Sequence, residues 1–199
     1  MEHSTKRNLF ADLAMSYVPH LAGLIDRNPY SLSYGCFDRE YWHYRTRDFA
    51  CGMSQEFVLP FALLYIRPYP GNRWYGKERM RELAVAGLHF ARRSSHADGA
   101  CDDYYPWERA MGALAFSTYA ATESYQVLGL GDSELLDFFR LRGDYLLHHN
   151  ESGKLCNHQA LSGLTLYNVY QLCGDERFRR GAEDRVALAL EWQHPREGW

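Results

Sequence analysis

The chain has 199 residues, of which 46% are hydrophobic, 24% are charged and 15% are aromatic. This composition excludes a disordered polypeptide and is sufficient for one domain with a packed core. The formal net charge is −3, which excludes a generally nucleic-acid-seeking or polybasic membrane-surface protein, because both need a concentrated positive field. We therefore expect neither nucleic acid nor membrane as a partner, and an acidic substrate would require a locally basic cleft.

The first 37 residues are predicted to form a helical or irregular lead-in to the main domain, which spans residues 38–199. Asp12, Pro19 and Asp26 interrupt its apolar stretch, so it has neither the apolar region nor the cleavage site of a signal peptide. No apolar run approaches the ~18 residues that a membrane-spanning helix needs. We expect a cytoplasmic protein, or a periplasmic one if the natural N-terminus is longer.

The cysteines are scattered along the chain without a C-x2-C pair. An odd, dispersed set of this kind lacks the spacing of a zinc site or a redox motif. We therefore predict reduced thiols in the core, no metal site and no cofactor. The residues are Cys36, Cys51, Cys101, Cys156 and Cys173.

Helical periodicity over the main domain predicts six helices that glycine and proline breaks separate. The third and the fifth are rich in Ala, Gly, Ser and Thr. Such helices are expected where neighbours crowd them on several sides, so we predict that they are inner helices. The fourth, which Asp132 caps, ends at His148 and His149, where imidazoles suit the helix dipole. The six helices span residues 48–65, 78–93, 108–128, 132–149, 159–173 and 177–193.

Turn glycines follow the predicted outer helices at Gly99, Gly153 and Gly198, which are 54 and 45 residues apart. Two helices of four to five turns with their loops occupy about 45 to 55 residues. The spacing therefore predicts an all-α fold of antiparallel helical hairpins, which form part of an (α/α) toroid over residues 38–199. An open α-solenoid would have the same periodicity.

A closed toroid of six such hairpins would need about 300 residues. We therefore expect that the chain is incomplete at its C-terminus. An incomplete stack leaves an apolar flank of an inner helix uncovered, so self-association is also expected.

Three loops that lead into the predicted inner helices carry dense polar and aromatic residues. They cover residues 38–48, 98–109 and 156–159. In a stack of hairpins such loops open at the same end, so we expect their side chains to converge on one site. The aromatic side chains suit a sugar cleft, since flat rings stack on pyranose faces.

Two of these loops, continued into the helices that follow them, resemble heparinase II/III-like polysaccharide lyases of the α/α-toroid class. The segments are DGACDDYYPWERAMGALAFSTYAATE and NHQALSGLTLYNVYQLCGDERF, together with QHPREGW. The Asn157-His158-Gln159 step is the most specific of them. The resemblance implies that the Asn–His pair holds a uronate carboxylate and that a tyrosine or histidine exchanges protons. It also implies a further catalytic tyrosine in a later repeat, which this sequence does not contain.

The chemistry that the resemblance implies is β-elimination from an acidic glycan. Removal of the proton beside a carboxylate requires hydrogen-bond donors that offset the carboxylate charge, and a base within hydrogen-bond reach. The candidate catalytic residues are Asn157, His158, Tyr104 and Tyr105. The candidate substrate-binding residues are Trp42, Tyr44, Arg45, Trp107, Glu108, Arg109 and Gln159.

The candidates also have structural interpretations. His158 could cap its helix or satisfy a buried carbonyl, and Glu108 could be an ordinary acidic residue at a helix N-terminus. Asp102 and Asp103 could be the carboxylates of a glycoside hydrolase, although adjacent loop residues more often serve a turn. The alternatives to a lyase are therefore a glycoside hydrolase on the same scaffold and a non-catalytic helical-repeat protein that binds through its concave face.

Overall fold

The computed structural model describes the backbone of residues 2–151 and 153–198, and the side chains of that part from residue 9 onward. The described part is helical and contains no β-strand, which confirms the predicted all-α fold class. Ser152, in a predicted turn, and Trp199 lie outside the described residues. A 3-10 turn at Met53–Phe57 precedes α4. The helices are α1 (Glu2–Ser16), α2 (Val18–Leu24), α3 (Arg39–Trp42), α4 (Val58–Ile66), α5 (Glu78–Ser94), α6 (Met111–Val127), α7 (Ser133–His148), α8 (Cys156–Cys173) and α9 (Glu176–Glu191).

Three helix pairs form the body of the fold: α4 with α5, α6 with α7, and α8 with α9. The first helices of the pairs pack side by side in one layer, where α6 contacts both α4 and α8. The second helices form the other layer, where α7 contacts both α5 and α9. A helix must bury its apolar stripe against another element, so successive pairs stack.

Helix α6 lies at the centre of the inner layer. It contacts the 3-10 turn, α4, α7 and α8, and its small side chains are buried around most of its circumference. Its hydroxyl groups are satisfied within the helix, since Ser117, Thr122 and Ser124 each donate to the carbonyl four residues earlier. The prediction that this small-residue helix is crowded on several sides is confirmed.

The predicted start of the first helix, at residue 48, is wrong, because α4 begins only at Val58. Pro60 has no N–H to donate, and its ring would clash with the preceding turn of a longer helix. In the first turn of α4 the same proline is tolerated. The residues before the 3-10 turn instead form a loop, in which the Cys51 N–H donates to Oδ2 of Asp38 at 2.9 Å.

Helix α6 begins at Met111, three residues later than the sequence predicts. Trp107 and Arg109 have positive φ angles of 65° and 56°, which a right-handed helix does not allow. The preceding loop therefore continues as far as residue 110. The next helix follows its prediction closely, since Asp132 caps α7 by accepting a hydrogen bond from the Leu135 N–H at 3.1 Å.

Helix α8 begins at Cys156, three residues before the predicted start. Leu155 is extended and serves as its N-cap. Asn157 and His158 therefore lie in the first turn of this helix, where their side chains point in different directions about its axis. The helix ends at Gly174, whose φ of 72° gives the left-handed cap that glycine adopts without strain.

The segment before α3 packs directly onto α5. A Cβ atom on Gly35, whose φ is 92°, would lie 2.2 Å from the Ala86 carbonyl oxygen. The buried Gln55 side chain accepts from the Phe37 N–H at 2.9 Å and donates to the carbonyls of Gly35 and Gly87. These contacts place residues 35–37 of the predicted lead-in against the body of the fold.

No helix in the described part of the chain is long and apolar enough to cross a bilayer. The five cysteines are free thiols. Burial raises the pKa of Cys36 to about 12 and that of Cys101 to about 11. These two thiols are buried in the core as predicted and are protonated at neutral pH, whereas Cys51, Cys156 and Cys173 are only partly buried.

Candidate functional site

A cleft of about 450 Å³ lies where the loop before α6, the end of α7 and the start of α8 meet. We call it the first cleft. Two of the three predicted loops contribute to it, and its base is formed by the first residues of α6. Its polar and aromatic lining residues are Asp103, Tyr104, Glu108, Arg109, Tyr145, His149, Asn150, Glu151 and His158.

The shortest side-chain pair of the first cleft joins His158 and Glu151. Nδ1 of His158 lies 2.6 Å from Oε1 of Glu151, and the two side chains are 22% and 19% exposed. A carboxylate at this distance favours the tautomer with its proton on Nδ1, which leaves Nε2 as the basic nitrogen. Within residues 2–151 and 153–198, Nε2 has no hydrogen-bond partner. The pair therefore has the form of a general base with its orienting carboxylate.

The neighbouring helix α6 packs against the imidazole of His158. Phe116 meets the ring edge to face, with ring centroids 5.8 Å apart. A Cβ atom on Gly112 would lie 2.4 Å from Cε1 of His158. The ring therefore occupies the space that a side chain at position 112 would fill. Glycine at the start of α6 is thus required by the placement of the histidine.

The loop before α6 is organised by the buried carboxylate of Asp102. It accepts hydrogen bonds from the N–H groups of Trp107 at 2.9 Å and Arg109 at 3.0 Å, and it lies 2.9 Å from Nε2 of His96. Burial raises the pKa of Asp102, but the hydrogen bonds outweigh it and the pKa is lowered overall. The carboxylate is therefore ionised at neutral pH, and these contacts fit the turn role that the sequence also allows for Asp102.

A second carboxylate completes the same loop. Oε2 of Glu108 accepts from the N–H groups of Asp103 at 3.0 Å, Tyr104 at 2.7 Å and Tyr105 at 3.3 Å. Left-handed conformations at non-glycine residues cost about 1–3 kcal/mol each and persist where the surroundings enforce them. The hydrogen bonds that Asp102 and Glu108 accept hold the turn at residues 107–109 in this conformation. Glu108 lines the first cleft, but one of its oxygens is committed to the backbone.

Arg109 and Tyr145 connect the loop to the end of α7. The Arg109 guanidinium forms an ion pair with Asp98. The backbone carbonyl of Arg109 accepts a hydrogen bond from the Tyr145 hydroxyl at 3.1 Å. The Tyr145 ring stacks on His149 with centroids 3.8 Å apart and planes 11° from parallel. Burial raises the pKa of Tyr145, so this phenol stays protonated and serves as a fixed donor.

Asp103 and Tyr104 separate the first cleft from a second one of about 500 Å³. We call it the second cleft, and Arg39, Tyr44 and Arg47 contribute to its opposite wall. Asp103 is buried. Tyr104 is 73% exposed, so its phenol is accessible to a ligand in either cleft.

The predicted site residues fall into two groups. The structure brings Tyr104, Glu108, Arg109 and His158 together in the first cleft and places Tyr44 in the second. The others line neither cleft, and they are Trp42, Arg45, Tyr105, Trp107, Asn157 and Gln159. Members of this second group contact other parts of the protein or are exposed to solvent.

Several of the second group have clear structural contacts. Gln159 is fully buried, where its amide oxygen accepts from Arg185 at 3.0 Å and its nitrogen donates to Asn150. Nε1 of Trp42 donates to the Leu24 carbonyl at 2.8 Å. The Trp107 ring packs on His96 at a centroid distance of 5.1 Å.

Trp107 and the remaining three members of that group are exposed to solvent. Trp107 is 74% exposed and Tyr105 is 69% exposed. Arg45 has a φ of 56° and is exposed, and Asn157 is exposed on the first turn of α8. His158 therefore lines the first cleft, whereas Asn157 does not.

Sequence reasoning missed Glu151, Tyr145 and His149 as members of the site. His148 and His149 do contact the carbonyls of Asp144 and Tyr145 in the last turn of α7, as the dipole interpretation predicts. His149 lines the first cleft in addition. The polar run His-His-Asn-Glu between an outer and an inner helix was the available signal.

The described residues contain no group of three or more His, Cys, Asp or Glu side chains placed to hold a metal ion. No protein-family model, curated protein or solved structure matches this chain. Its chemistry must therefore be inferred from the clefts themselves.

Proposed function

We propose that the chain is a carbohydrate lyase of the heparinase II/III-like kind, which cleaves a uronic-acid-containing glycan by β-elimination on part of an (α/α) toroid. The observation that carries the proposal is the 2.6 Å contact between Nδ1 of His158 and Oε1 of Glu151 in a cleft that also holds Tyr104 and Arg109. A base, a phenol and a guanidinium are the groups that this elimination uses.

His158 is the proposed general base. Nε2 of His158 takes the proton from C5 of the uronate, and the electron pair of that C–H bond forms the C4=C5 double bond. The C4–O bond breaks, and its oxygen takes a proton from the Tyr104 phenol. Glu151 stabilises the imidazolium that forms, as a carboxylate does when it orients a catalytic histidine. The products are an unsaturated uronate and a new chain end with a free hydroxyl.

Arg109 is the proposed partner of the uronate carboxylate. Its guanidinium lies at the edge of the first cleft and is 44% exposed, with Asp98 as its present partner. A planar guanidinium binds carboxylates bidentately and can exchange one for another. This assignment replaces the role that the family resemblance implies for Asn157, because the Asn157 side chain is exposed outside the cleft.

The carboxylates of the first cleft favour this chemistry over hydrolysis by two acids. Oε2 of Glu108 accepts three N–H groups, Oδ1 of Asp103 accepts from the Cys51 thiol at 2.9 Å, and Glu151 faces His158. Each of these carboxylates is therefore engaged by groups of the protein. Hydrolysis by two acids needs two carboxyl groups that both face the sugar.

A glycoside hydrolase is the second candidate, because the half-buried Glu56 has a raised pKa. Its partial burial and the charge of Asp103 raise that pKa. A carboxyl group with a raised pKa beside a second carboxylate is a pattern that glycoside hydrolysis uses. Glu56 does not line either cleft, which is why we rank this function second.

The masses of the products distinguish the two functions. The protein is incubated with alginate, hyaluronan, chondroitin and heparan sulfate, and the products are analysed by mass spectrometry. A lyase gives one product that is lighter by one water than the hydrolysis product, together with ultraviolet absorbance from the double bond. Products with an added water and no such absorbance would replace the lyase proposal with the hydrolase.

A further inference from the structure

We propose that the second cleft binds an acidic sugar residue of the same glycan, so that the substrate spans both clefts past Tyr104. The inference rests on the proposed function and extends it to the length and charge of the substrate. The two clefts share a wall, because Asp103 and Tyr104 line both of them. A chain bound in the first cleft has an open path over the exposed Tyr104 ring into the second.

Arg39 is the cation that would hold the acidic group. It lines the second cleft, and its Nε atom is buried without a hydrogen-bond partner. Within the described residues Arg39 forms no ion pair, whereas Arg47 on the same wall contacts Glu40 at 2.9 Å and Asp38 at 3.8 Å. A guanidinium pairs readily with a carboxylate or sulfate through its other N–H groups. An anionic ligand in the second cleft would supply that partner.

Two aromatic rings fix the orientation of this guanidinium. The Arg39 Cζ atom lies 5.0 Å from the ring centroid of Tyr44 and 5.9 Å from that of Trp42. Stacking on aromatic rings restrains an arginine at little cost, which lowers the entropy lost when it binds a ligand. Tyr44 is 59% exposed, so it also offers a surface against which a pyranose ring can pack.

The carboxylates of the second cleft have contacts other than Arg39. Asp38 accepts from the N–H groups of Glu40 and Cys51 and contacts Arg47. Asp103 accepts the Cys51 thiol proton at 2.9 Å. Among the described residues, Arg39 is therefore the arginine of this cleft that forms no ion pair. In the first cleft the corresponding arginine, Arg109, has Asp98 as its partner.

The binding of labelled oligosaccharides tests the inference without requiring turnover. Fluorescence polarisation compares hexasaccharides and disaccharides of alginate, hyaluronan and heparan sulfate, with neutral maltohexaose as reference. Arg39→Met is expected to weaken binding of the acidic hexasaccharide about tenfold, which is the loss of one charge-assisted hydrogen bond. Disaccharide binding should not change. Arg73→Met is the matched control, because Arg73 is exposed and lines neither cleft. Comparing hyaluronan with heparan sulfate separates a carboxylate from a sulfate as the bound group.

The outcomes separate this inference from the proposed function. If hexasaccharide binding depends on Arg39 but no glycan is cleaved, the result supports the proposed role of the second cleft and counts against the lyase proposal. If a glycan is cleaved but Arg39→Met leaves the hexasaccharide affinity unchanged, the result supports the lyase proposal and counts against the role of the second cleft. Equal weakening for hexasaccharides and disaccharides, or no affinity for any acidic hexasaccharide, would overturn the inference. Melting curves of both variants check that the fold is retained.

Discussion

The imidazole of His158 occupies the position that a side chain on Gly112 would take, with only 2.4 Å between its Cε1 atom and an added Cβ. Nδ1 of the same ring contacts Glu151. The histidine thus contacts both α6 and the chain that leaves α7. The proposed activity therefore depends on a glycine and a carboxylate that do not themselves react with the substrate.

Gly112→Ala is expected to reduce activity at least tenfold, because the new methyl group displaces the imidazole from Glu151. Alanine favours a helix over glycine by about 1 kcal/mol, so the stability of the fold should change little. Gly131→Ala is the matched control, since nothing lies within 4 Å of a Cβ there. Initial rates and melting temperatures are measured for both variants. Equal rates in the two variants would contradict the proposed position of His158.

Glu151→Gln is expected to lower kcat about 10²-fold or more, because an amide does not stabilise the imidazolium that forms when His158 accepts a proton. KM should change much less than kcat. Glu183→Gln serves as the control, since Glu183 is exposed and paired with Arg179 on the outer helix α9. A kcat that Glu151→Gln leaves intact would remove Glu151 from the mechanism.

Asp102→Asn is expected to destabilise the protein at neutral pH by roughly 1–3 kcal/mol, because an amide accepts the loop N–H groups less strongly. The pKa of Asp102 is lowered in the folded state, so its stabilising effect is present above the ordinary aspartate pKa. The effect is lost as the pH falls through the lowered value. Urea unfolding should therefore show a difference between Asp102→Asn and the native chain that disappears in acid. A difference that is constant with pH would contradict this explanation.

Arg142 is fully buried between α5, α6 and α7, where hydroxyl groups rather than carboxylates surround it. It donates to Ser117 at 2.9 Å, Thr118 at 3.0 Å and Ser95 at 3.0 Å, and its Nε has no partner among the described residues. Both serine hydroxyls also donate to carbonyls of their own helices. Burial lowers the pKa of Arg142, which shows that its charge is poorly compensated.

Arg142→Met should therefore leave the free energy of unfolding within about 1 kcal/mol of the native value, because an apolar side chain fills the space without a charge to desolvate. Arg142→Ala leaves a cavity and should cost roughly 3 kcal/mol. Urea unfolding curves give both values. Equal losses in the two variants would mean that the hydrogen bonds of the guanidinium, not its volume, stabilise this position.

The face of α8 and α9 that points away from α6 exposes apolar side chains around a groove of about 540 Å³. Leu164, Tyr167 and Leu190 are 45%, 43% and 55% exposed there. The expected self-association should therefore weaken in Leu190→Glu, as measured by light scattering during gel filtration. Leu32→Glu is the control, because Leu32 is 97% exposed elsewhere. A native chain that is monomeric at high concentration would contradict the expectation.

Periodicity and capping signals predicted the helices well where both were present. The ends of α5 and α7 lie within one residue of the prediction, because Glu78 and Asp132 mark their starts. The start of α4 was misplaced because apolar residues continue through the loop before Pro60. Periodicity cannot register the positive φ angles at Trp107 and Arg109, which depend on carboxylates elsewhere in the loop.

The site was predicted only in part for a related reason. Tyr104 and Arg109 lie in a loop and His158 lies in the first turn of α8, and the hairpin pattern brings these two segments together. No sequence pattern specifies that Glu151 contacts His158, and Glu151 was therefore missed. Gln159 follows His158 directly, but one step along a helix turns the side chain by about 100° and into the core.

The central claim is that His158 removes a proton from a uronate. The most direct test follows ultraviolet absorbance of the unsaturated product while the native protein and His158→Ala are incubated with the four uronate polysaccharides. We predict a rise with at least one polysaccharide that His158→Ala abolishes. Absence of a rise with all four, or a rise that persists in His158→Ala, would contradict the claim.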